Sequence, residues 1–508
     1  MNAPSASNPQ TLPLLSKSRF LAGLQCPLRL WHACFNRDLA AEISPAQQAI
    51  FDTGHAVGEL ATRRYPGGVF IQEDYRHHEK AVRSTLTAME DPAVKSIYEA
   101  AFIYDGVRVR VDILERTDPG RWNLVEVKSS TSVKEIHLPD IAIQYYVLVG
   151  SGLNLDKAFL LHINPRYVYD GDRLDPEGFF SSSDVTDEVR SGQEKIPARL
   201  FELKKMLNAP EFPRIQPSRH CSDPYPCEFW GYCTRHMPKH WVLELSGITQ
   251  KKLDDLSVEN IVDIKDIPGT YPLTELQKRI RACVVNDQAF LSEKIYDELK
   301  DVEYPVHFLD FETVSPAVPR YAGTRPYQTV PFQWSDHILF ENGTLTHKEY
   351  LCHDDADPRK EFALTLLDSL GDRGTIFIYT TYEIRIIKAL AEYLPQHRSV
   401  LLKIIDRCED LCALIKKYFY HPRFHGSFSL KSVLPALVPD MDYGTLAIQE
   451  GTLAAFEYLR MIAPETETEE KQRIRKELLK YCSHDTLAMV KIRNTLIERS
   501  PNDPGYIR

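Results

Sequence analysis

At 508 residues, with 43% hydrophobic and 26% charged side chains, the chain has the balance of a soluble globular protein. Roughly 150 residues per domain gives two to four domains and excludes a disordered or collagen-like polymer. Sixty-one Lys and Arg against 71 Asp and Glu leave a net charge of −10, so any nucleic-acid surface must be a local basic groove, and metal-binding carboxylates would account for part of the acidity.

The opening twenty residues are rich in Ser, Pro and Asn. They have neither a basic leader segment nor a long apolar core, so no secretory signal is expected. No run approaches the roughly 18 to 20 apolar residues of a membrane span. A cytoplasmic location away from membranes follows, and thiols there stay reduced. Helical spacing is predicted over 55–65 and 80–91. Residues 101–116 alternate as a strand pair turning at Asp105 and Gly106, a further strand covers 122–130, and 139–152 reads as a helix ending at a glycine. From 240 to 300 the chain is rich in Lys and Asp and helical, interrupted at 265–277. The pattern then restarts with a buried strand over 306–314 and a hairpin over 337–351 turning at Asn342 and Gly343. A strand runs into a helix over 375–394, and a long helix covers 476–498.

Asp112 closes an alternating strand, and Glu126 and Lys128 lie two apart on the next, so they share a face. Two carboxylates of this kind hold a hard divalent cation, which activates water and offsets charge on a scissile phosphate. The lysine adds a fixed positive charge beside it. Cys283, Cys352, Cys408, Cys412 and Cys482 read as scattered core residues. Cys221, Cys227 and Cys233 instead form a C-x5-C-x5-C run amid Pro, Gly and aromatics, a loop-borne ligand cluster. Cys26 and Cys34 lie near the start. From the residues alone a structural zinc site is favoured, with His220 and His236 as substitute ligands.

His55, Asp112, Glu126, Lys128, Gln144 and Tyr145/Tyr146 occur in the order found in RecB-type nucleases of the PD-(D/E)xK superfamily, and the resemblance spans about residues 15–240. Its iron–sulfur branch splits its cluster ligands, one cysteine before the nuclease core and three after it. Cys26 with Cys221, Cys227 and Cys233 is similar to that arrangement. The resemblance implies metal binding by His55, Asp112 and Glu126, catalysis by Lys128, substrate contact by Gln144 and Tyr145, and a 4Fe–4S cluster on the four cysteines. Val111 stands where the superfamily's name has proline. Such a site would tie the N-terminal segment to the end of the core across almost 200 residues, and Cys34 is left to packing.

Asp310 and Glu312 share one face of the strand over 306–314, and Tyr481 and Asp485 stack at i and i+4 on a helix. This outline resembles the DEDD exonucleases, the DnaQ-like group on the RNase H fold. The resemblance implies four carboxylates holding two Mg2+ or Mn2+ ions, with Tyr481 orienting the attacking water. Glu383 is the positional match for the middle ligand, with Glu for the family's Asp, and Asp406 and Asp410 are fallbacks. His484 reads as a solvent-facing helix residue. Gln333, Trp334 and His337 read either as lining for a substrate groove or as a hairpin packed beneath the site. Around 247–269 the sequence resembles a helix-hairpin-helix, read first as a structural connector.

The expected architecture is α/β. It comprises a restriction-endonuclease-like domain with an iron–sulfur cluster over 1–240, a helical connector over 241–300 and an RNase H-like domain over 301–508. The expected activity is metal-dependent hydrolysis of phosphodiester bonds in DNA with single-stranded ends, or in RNA, by a RecB-like site and a 3′–5′ exonuclease site. Repair, recombination or defence are the matching pathways. The alternative is a nucleic-acid-binding or assembly subunit with one or both sites inactive.

Overall fold

Asp105 and Gly106 both take left-handed backbone angles, with φ of 46° and 68°, as a two-residue hairpin turn requires. That turn organises the first of two units in the computed structural model, which describes residues 13–499 and 506–507. The start of the opening segment read above as lacking a leader lies outside the described residues. Unit one comprises residues 1–236 and 317–327; unit two comprises 237–316 and 328–508. The helical stretch 241–300 therefore counts with the second unit, and a short piece of the C-terminal half counts with the first.

In unit one, the strands are β1 (Leu15–Ser16), β2 (Val69–Phe70), β3 (Ser96–Tyr104), β4 (Val107–Asp118), β5 (Arg121–Lys128), β6 (Asn154–Ile163) and β7 (Phe180–Asp184). They form one seven-stranded mixed sheet in the order β2-β3-β4-β5-β6-β7, with β1 pairing β4. β3, β4 and β5 are an antiparallel meander, whereas β6 returns parallel to β5 after a helical crossover. The helices that matter for the site are α1 (Lys17–Gln25), α2 (Pro27–Phe35), α3 (Pro45–Thr62), α4 (His78–Glu90), α5 (Leu138–Gly150) and α6 (Lys195–Leu207). Strand alternation sends Val107, Val109 and Val111 into a core shared with Ile141, Leu148 and Leu200. Ile113 and Val125 lie in a second core with Val57 and Ala61 of α3. Helices thus cover both faces of the sheet.

Unit two begins with α7 (Gln250–Val258) and α8 (Glu275–Asn286), the latter opened by a Thr274/Gln277 capping box. Ile267, in the Ile-Pro-Gly turn, precedes α8 by several residues, and its carbonyl accepts a bond from Arg281 Nε at 2.6 Å. The strands are β8 (Ala289–Leu291), β9 (Val306–Val314), β10 (Val330–Leu339), β11 (Leu345–Leu351), β12 (Ile376–Ile378), β13 (Cys408–Asp410), β14 (Phe419–Tyr420) and β15 (Tyr506–Ile507). The main sheet runs β11-β10-β9-β12-β13, with β14-β8-β15 as a small separate sheet. β10 is antiparallel to β9 and β11, while β12 is parallel to β9 and β13.

Helices α9 (Arg359–Leu370), α10 (Tyr382–Tyr393), α11 (Arg398–Ile405), α12 (Leu411–Tyr418), α13 (Gly451–Ile462) and α14 (Thr468–Glu498) complete the unit. Leu309 and Phe311 of β9 join a core with Phe362, Ile387 and Leu401. The alternate residues Asp310 and Glu312 therefore point to the other face, against which α13 and α14 pack. There Phe332 and Tyr458 stack with centroids 3.9 Å apart. Among the described residues no helix is long and apolar enough to cross a membrane.

Candidate functional site

Glu126 and Lys128 do share a face of β5, and Lys128 Nζ donates to Glu126 Oε1 at 2.7 Å. Two residues outside the sequence reading complete the group. Lys17, in the first turn of α1, donates to the same oxygen at 2.9 Å and lies 3.1 Å from Asp140 Oδ1. Asp140, in the first turn of α5, also accepts from Lys128. Gln144 follows one turn later and donates to Glu126 Oε2 at 2.7 Å. Asp112 reaches over from β4 and accepts the Val127 backbone N–H at 2.7 Å.

Charge decides the state of each carboxylate. Burial alone would raise Glu126, but Lys17 and Lys128 outweigh it and hold it well below the ordinary range. Burial and the neighbouring Glu126 push Asp112 up to about 8, against the pull of Lys17. Asp140 is raised for the same two reasons. Only with all three carboxylates ionised would the two ammoniums leave one net negative charge, and Gln144 Oε1 is buried without a hydrogen-bond partner.

Two expected residues stand apart from this group. His55 is exposed on α3. Tyr145 is buried in the apolar core beside α5 and its hydroxyl accepts from Arg190 at 3.2 Å. One residue along a helix turns the side chain by about 100°, so Gln144 and Tyr145 cannot both face the carboxylates. Gln144 itself holds Glu126 and Asp140 rather than an open surface.

Cys26, Cys221, Cys227 and Cys233 line one small cavity with Arg29, His220 and Phe229. Cys26 is the hinge between α1 and α2, ending one helix and preceding Pro27 of the next. Gln25 and Arg29 flank it. Gln25 Nε2 donates to the carbonyls of His220 and Tyr225, both at 2.7 Å, and Arg29 pairs with Glu228 at 2.8 Å. The two distant segments are thus fastened around the thiols, and Cys227 N–H bonds the Cys221 carbonyl at 2.8 Å. All four are free thiols. His220 reaches Cys221 Sγ at 3.5 Å, His236 is exposed, and Cys34 packs against the apolar core.

The second unit gathers four carboxylates. Asp310, Glu312 and Cys482 have donor atoms within 4.8 Å of one another, and Cys482 Sγ lies 3.5 Å from Asp310 Oδ2. Glu312, Glu383 and Asp485 are each at most 8% exposed, and Glu383 Oε2 is buried with no hydrogen-bond partner. Burial pushes Asp310, Glu312 and Glu383 well above the ordinary range, and mutual repulsion adds to it. Asp485 acts on Asp310, and Asp310 acts on both Glu312 and Glu383. Burial lifts Asp485 to about 6, restrained by the bond from Tyr443, by Lys431 and by Tyr481. The Tyr443 hydroxyl donates to Asp485 Oδ1. Lys431 Nζ stands 5.6 Å and 5.9 Å from the Tyr443 and Tyr481 ring centres.

Glu383 reaches this group because the chain leaves β12 through Thr380, a β-branched residue at φ 79°. That conformation is uncommon outside glycine and is held by the surroundings; the Thr380 N–H bonds Asp410 Oδ1 at 3.2 Å. Asp410 also caps α12 through the Ala413 N–H at 2.9 Å, and Asp406 sits at the C-terminal end of α11. Neither fallback is needed to fill the cluster. His484 is half-buried rather than solvent-facing, its ring edge-on to Tyr443 at 4.9 Å. Gln333, Trp334 and His337 serve packing: Gln333 bonds the Leu478 carbonyl, Trp334 bonds Thr365 and His337 bonds Thr486.

Lys17, Asp140, Tyr443, Lys431 and the Cys482 contact were missed by sequence reasoning. Only Asp140 carried a local signal, lying at i−4 from Gln144 at a helix start.

Residues 307–429 match the family model described as Domain of unknown function (DUF2779). That stretch runs from β9 past β14 and contains Asp310, Glu312 and Glu383, but not Asp485. No curated protein matches the chain. A solved chain described as "Crystal structure of SSO0001" is similar at 15% identity, covering 46% of this chain and 90% of that one, with a TM-score of 0.23.

Proposed function

We propose that the protein is a divalent-metal-dependent nuclease with two active sites, a DEDD-like 3′–5′ exonuclease site in unit two and a RecB-like site in unit one. The observation that carries this reading is the convergence of Asp310, Glu312, Glu383 and Asp485, with the Lys431 charge acting on Glu312 and Asp485. Carboxylates crowded in this way repel one another, and a site that keeps four of them gains most from a bound cation. The four carboxylates offer oxygen donors, which suit Mg2+ or Mn2+, with the Cys482 sulfur beside Asp310. Ions held there would supply Lewis-acid stabilisation of the phosphate and a nucleophilic water.

The residues around them have separable tasks. Asp310, on the central strand, would hold the cations together with Glu312, Glu383 and Asp485. Tyr443 fixes Asp485, and Tyr481 offers a hydroxyl to orient water. Lys431 would meet negative charge on a substrate phosphate. The sheet order β11-β10-β9-β12-β13, with β10 antiparallel, supports an RNase H-like reading of unit two.

In unit one, the β3-β4-β5 meander followed by α5 and parallel β6 supports a restriction-endonuclase-like core. There Asp112 and Glu126 would hold a cation while Lys17 and Lys128 neutralise the phosphate side. A polar pocket lined by Ser129, Ser130, Thr131, Lys134 and Tyr327 adjoins the end of β5 and suits a nucleic-acid backbone. One observation favours a second reading, in which only unit two cuts: both Glu126 oxygens are already engaged by Lys17, Lys128 and Gln144.

The cysteine cavity presents four thiols and suits a thiophilic group, so Cys26, Cys221, Cys227 and Cys233 would hold a 4Fe–4S cluster or, on the rival reading, zinc. Bound there, it would fasten α1 and α2 to the 219–234 segment.

Anaerobically purified full-length protein, incubated with end-labelled single-stranded DNA, duplex DNA and RNA, tests the proposal. Shortening from the 3′ end that requires Mn2+ or Mg2+ and disappears in Asp310→Asn is expected. No metal-dependent hydrolysis of any of the three would leave a nucleic-acid-binding or assembly subunit instead.

A further inference from the structure

Neither nuclease site uses His240, Glu244 or His425. These three bring two imidazole nitrogens and one carboxylate oxygen within 4.8 Å of one another in unit two. Their meeting is built by the backbone from two directions. The His240 carbonyl accepts the Ile264 N–H at 2.8 Å, and the Val242 N–H bonds the Val262 carbonyl at 2.9 Å. This pins the segment in place. A 3-10 turn over Val242–Glu244 then brings Glu244 round beside His240.

His425 comes from far along the chain, 181 residues after Glu244. It ends the turn Pro422–Phe424 in a left-handed conformation, φ 49° and ψ 42°, which few residues without a glycine's freedom adopt. Gly426 follows at φ 73°, and a Cβ there would lie 1.5 Å from the Glu244 carbonyl oxygen. Only glycine fits, so the loop is seated directly on the Glu244 backbone. His425 Nδ1 lies 3.2 Å from Glu244 Oε2, and its ring stacks on that of His240 at 5.5 Å and 17°. His240 is 4% exposed, while the Glu244 and His425 side chains keep 31% and 43% of their surface open. The donors are gathered at the rim of the unit, closed behind and open in front.

We propose that His240, Glu244 and His425 form a further metal site, for one cation of the zinc class. A His–Glu ion pair alone would not need the second imidazole facing the first. Two imidazoles and a carboxylate select Zn2+, Co2+, Ni2+ or Cu2+ over Mg2+ and Ca2+, which prefer all-oxygen sets. Three protein ligands with an open front leave a position for water. Occupancy would join the start of unit two to the loop after β14. Closing so long a stretch of chain raises stability by mass action, because the metal binds the folded arrangement and not the open one.

The test uses full-length protein stripped with a chelator and kept in millimolar Mg2+, which occupies the carboxylate sites. One equivalent of Zn2+ is added first to occupy the four-thiol site and keep its sulfurs from reducing copper; Cu2+ is then added stoichiometrically, binding is read by calorimetry and coordination by electron paramagnetic resonance. The thiol site gives sulfur-to-metal charge-transfer absorption, whereas this site gives nitrogen hyperfine splitting without it. His425→Asn keeps a residue that tolerates the left-handed conformation, and it should bind one equivalent fewer and lose the two-nitrogen splitting. Zn2+ should raise the melting temperature of the wild type more than that of this variant. Glu244→Gln, which changes charge and not shape, should weaken binding and leave the nitrogen pattern in place at higher metal. Unchanged stoichiometry and an unchanged nitrogen signal in both variants would overturn the proposal and leave an ion pair beside a stacked histidine. Loss of nuclease activity is not the readout, so this outcome stands apart from the fate of the nuclease reading.

Discussion

Lys17 Nζ sits 2.9 Å from Glu126 Oε1, although the two residues are 109 positions apart. The contact joins the first turn of α1 to the face of β5, and it makes Lys128 the second ammonium on the same oxygen rather than the only one. Glu126 is 1% exposed, so its ionised state depends on both.

Lys17→Met should therefore destabilise unit one. A fully buried pair costs roughly 3–5 kcal/mol when one partner is removed; with Lys128 still in place, about 1–3 kcal/mol is expected. Denaturant unfolding of Lys17→Met, Glu126→Gln and the double variant measures the coupling between them. A coupling near zero would mean that the contact carries no stability.

Asp310→Asn should act in opposite directions with and without metal. Removing one of four mutually repelling carboxylates relieves the metal-free protein, so its melting temperature should rise. The increase that Mn2+ gives the wild type, of the order of 2.7 kcal/mol at a hundredfold excess over the dissociation constant, should be largely lost. Thermal melts with chelator and with Mn2+ check both signs. A variant that loses stability under both conditions would show that Asp310 serves folding and not metal.

Tyr443→Phe and Tyr481→Phe should both slow 3′ shortening without abolishing it. Tyr443 bonds Asp485 and Tyr481 lies one helical turn from it, yet neither is a metal ligand. One positioned hydroxyl is worth on the order of 10²-fold in rate. Single-turnover rates at saturating Mn2+ separate this from weakened metal binding. A full-speed Tyr443→Phe enzyme would confine that residue to packing.

How far the sequence foretold these sites follows from how local each signal is. The β9 strand was legible over 306–314 because its apolar run is continuous, and the hairpin at Asp105–Gly106 because two left-handed residues leave few alternatives. Glu126/Lys128 and Tyr481/Asp485 were legible as same-face pairs within single elements. Lys17, Tyr443 and Lys431 were not, because each joins its site from a different element, and spacing along the chain says nothing of that approach. Tyr145 misled for the opposite reason. It adjoins Gln144 in sequence, but helical rotation carries it to Arg190 and the core. Cys221, Cys227 and Cys233 were legible as a group because they recur at short intervals, whereas Cys26 joins their cavity from almost 200 residues away, and His240 and His425 stand too far apart to suggest each other.

The last prediction concerns acid. Burial lowers His337 to about 4, and its stacked neighbour His347, 4.4 Å away, adds to the shift. Burial likewise lowers His421 to about 4, with Arg423 and Arg499 opposing its charge. His421 Nδ1 accepts the Arg423 backbone N–H at 3.0 Å, a bond that needs the neutral ring. In the unfolded chain both histidines titrate near 6.5. Between pH 6.5 and 4 the unfolded state therefore binds protons that the folded state refuses, and stability falls as pH falls. The contribution is whole above 6.5 and is lost on the way down to about 4. The buried carboxylates of the two sites, raised above their ordinary range, act with the opposite sign over the same window, so the readout is a difference: from pH 7.5 to 4.5 the melting temperature of the double variant His337→Gln/His421→Gln should rise relative to that of the wild type, whatever its stability at pH 7.5. Superimposable slopes would mean that these rings are protonated in the fold, which the Thr486 and Arg423 bonds would then have to accommodate by rearranging.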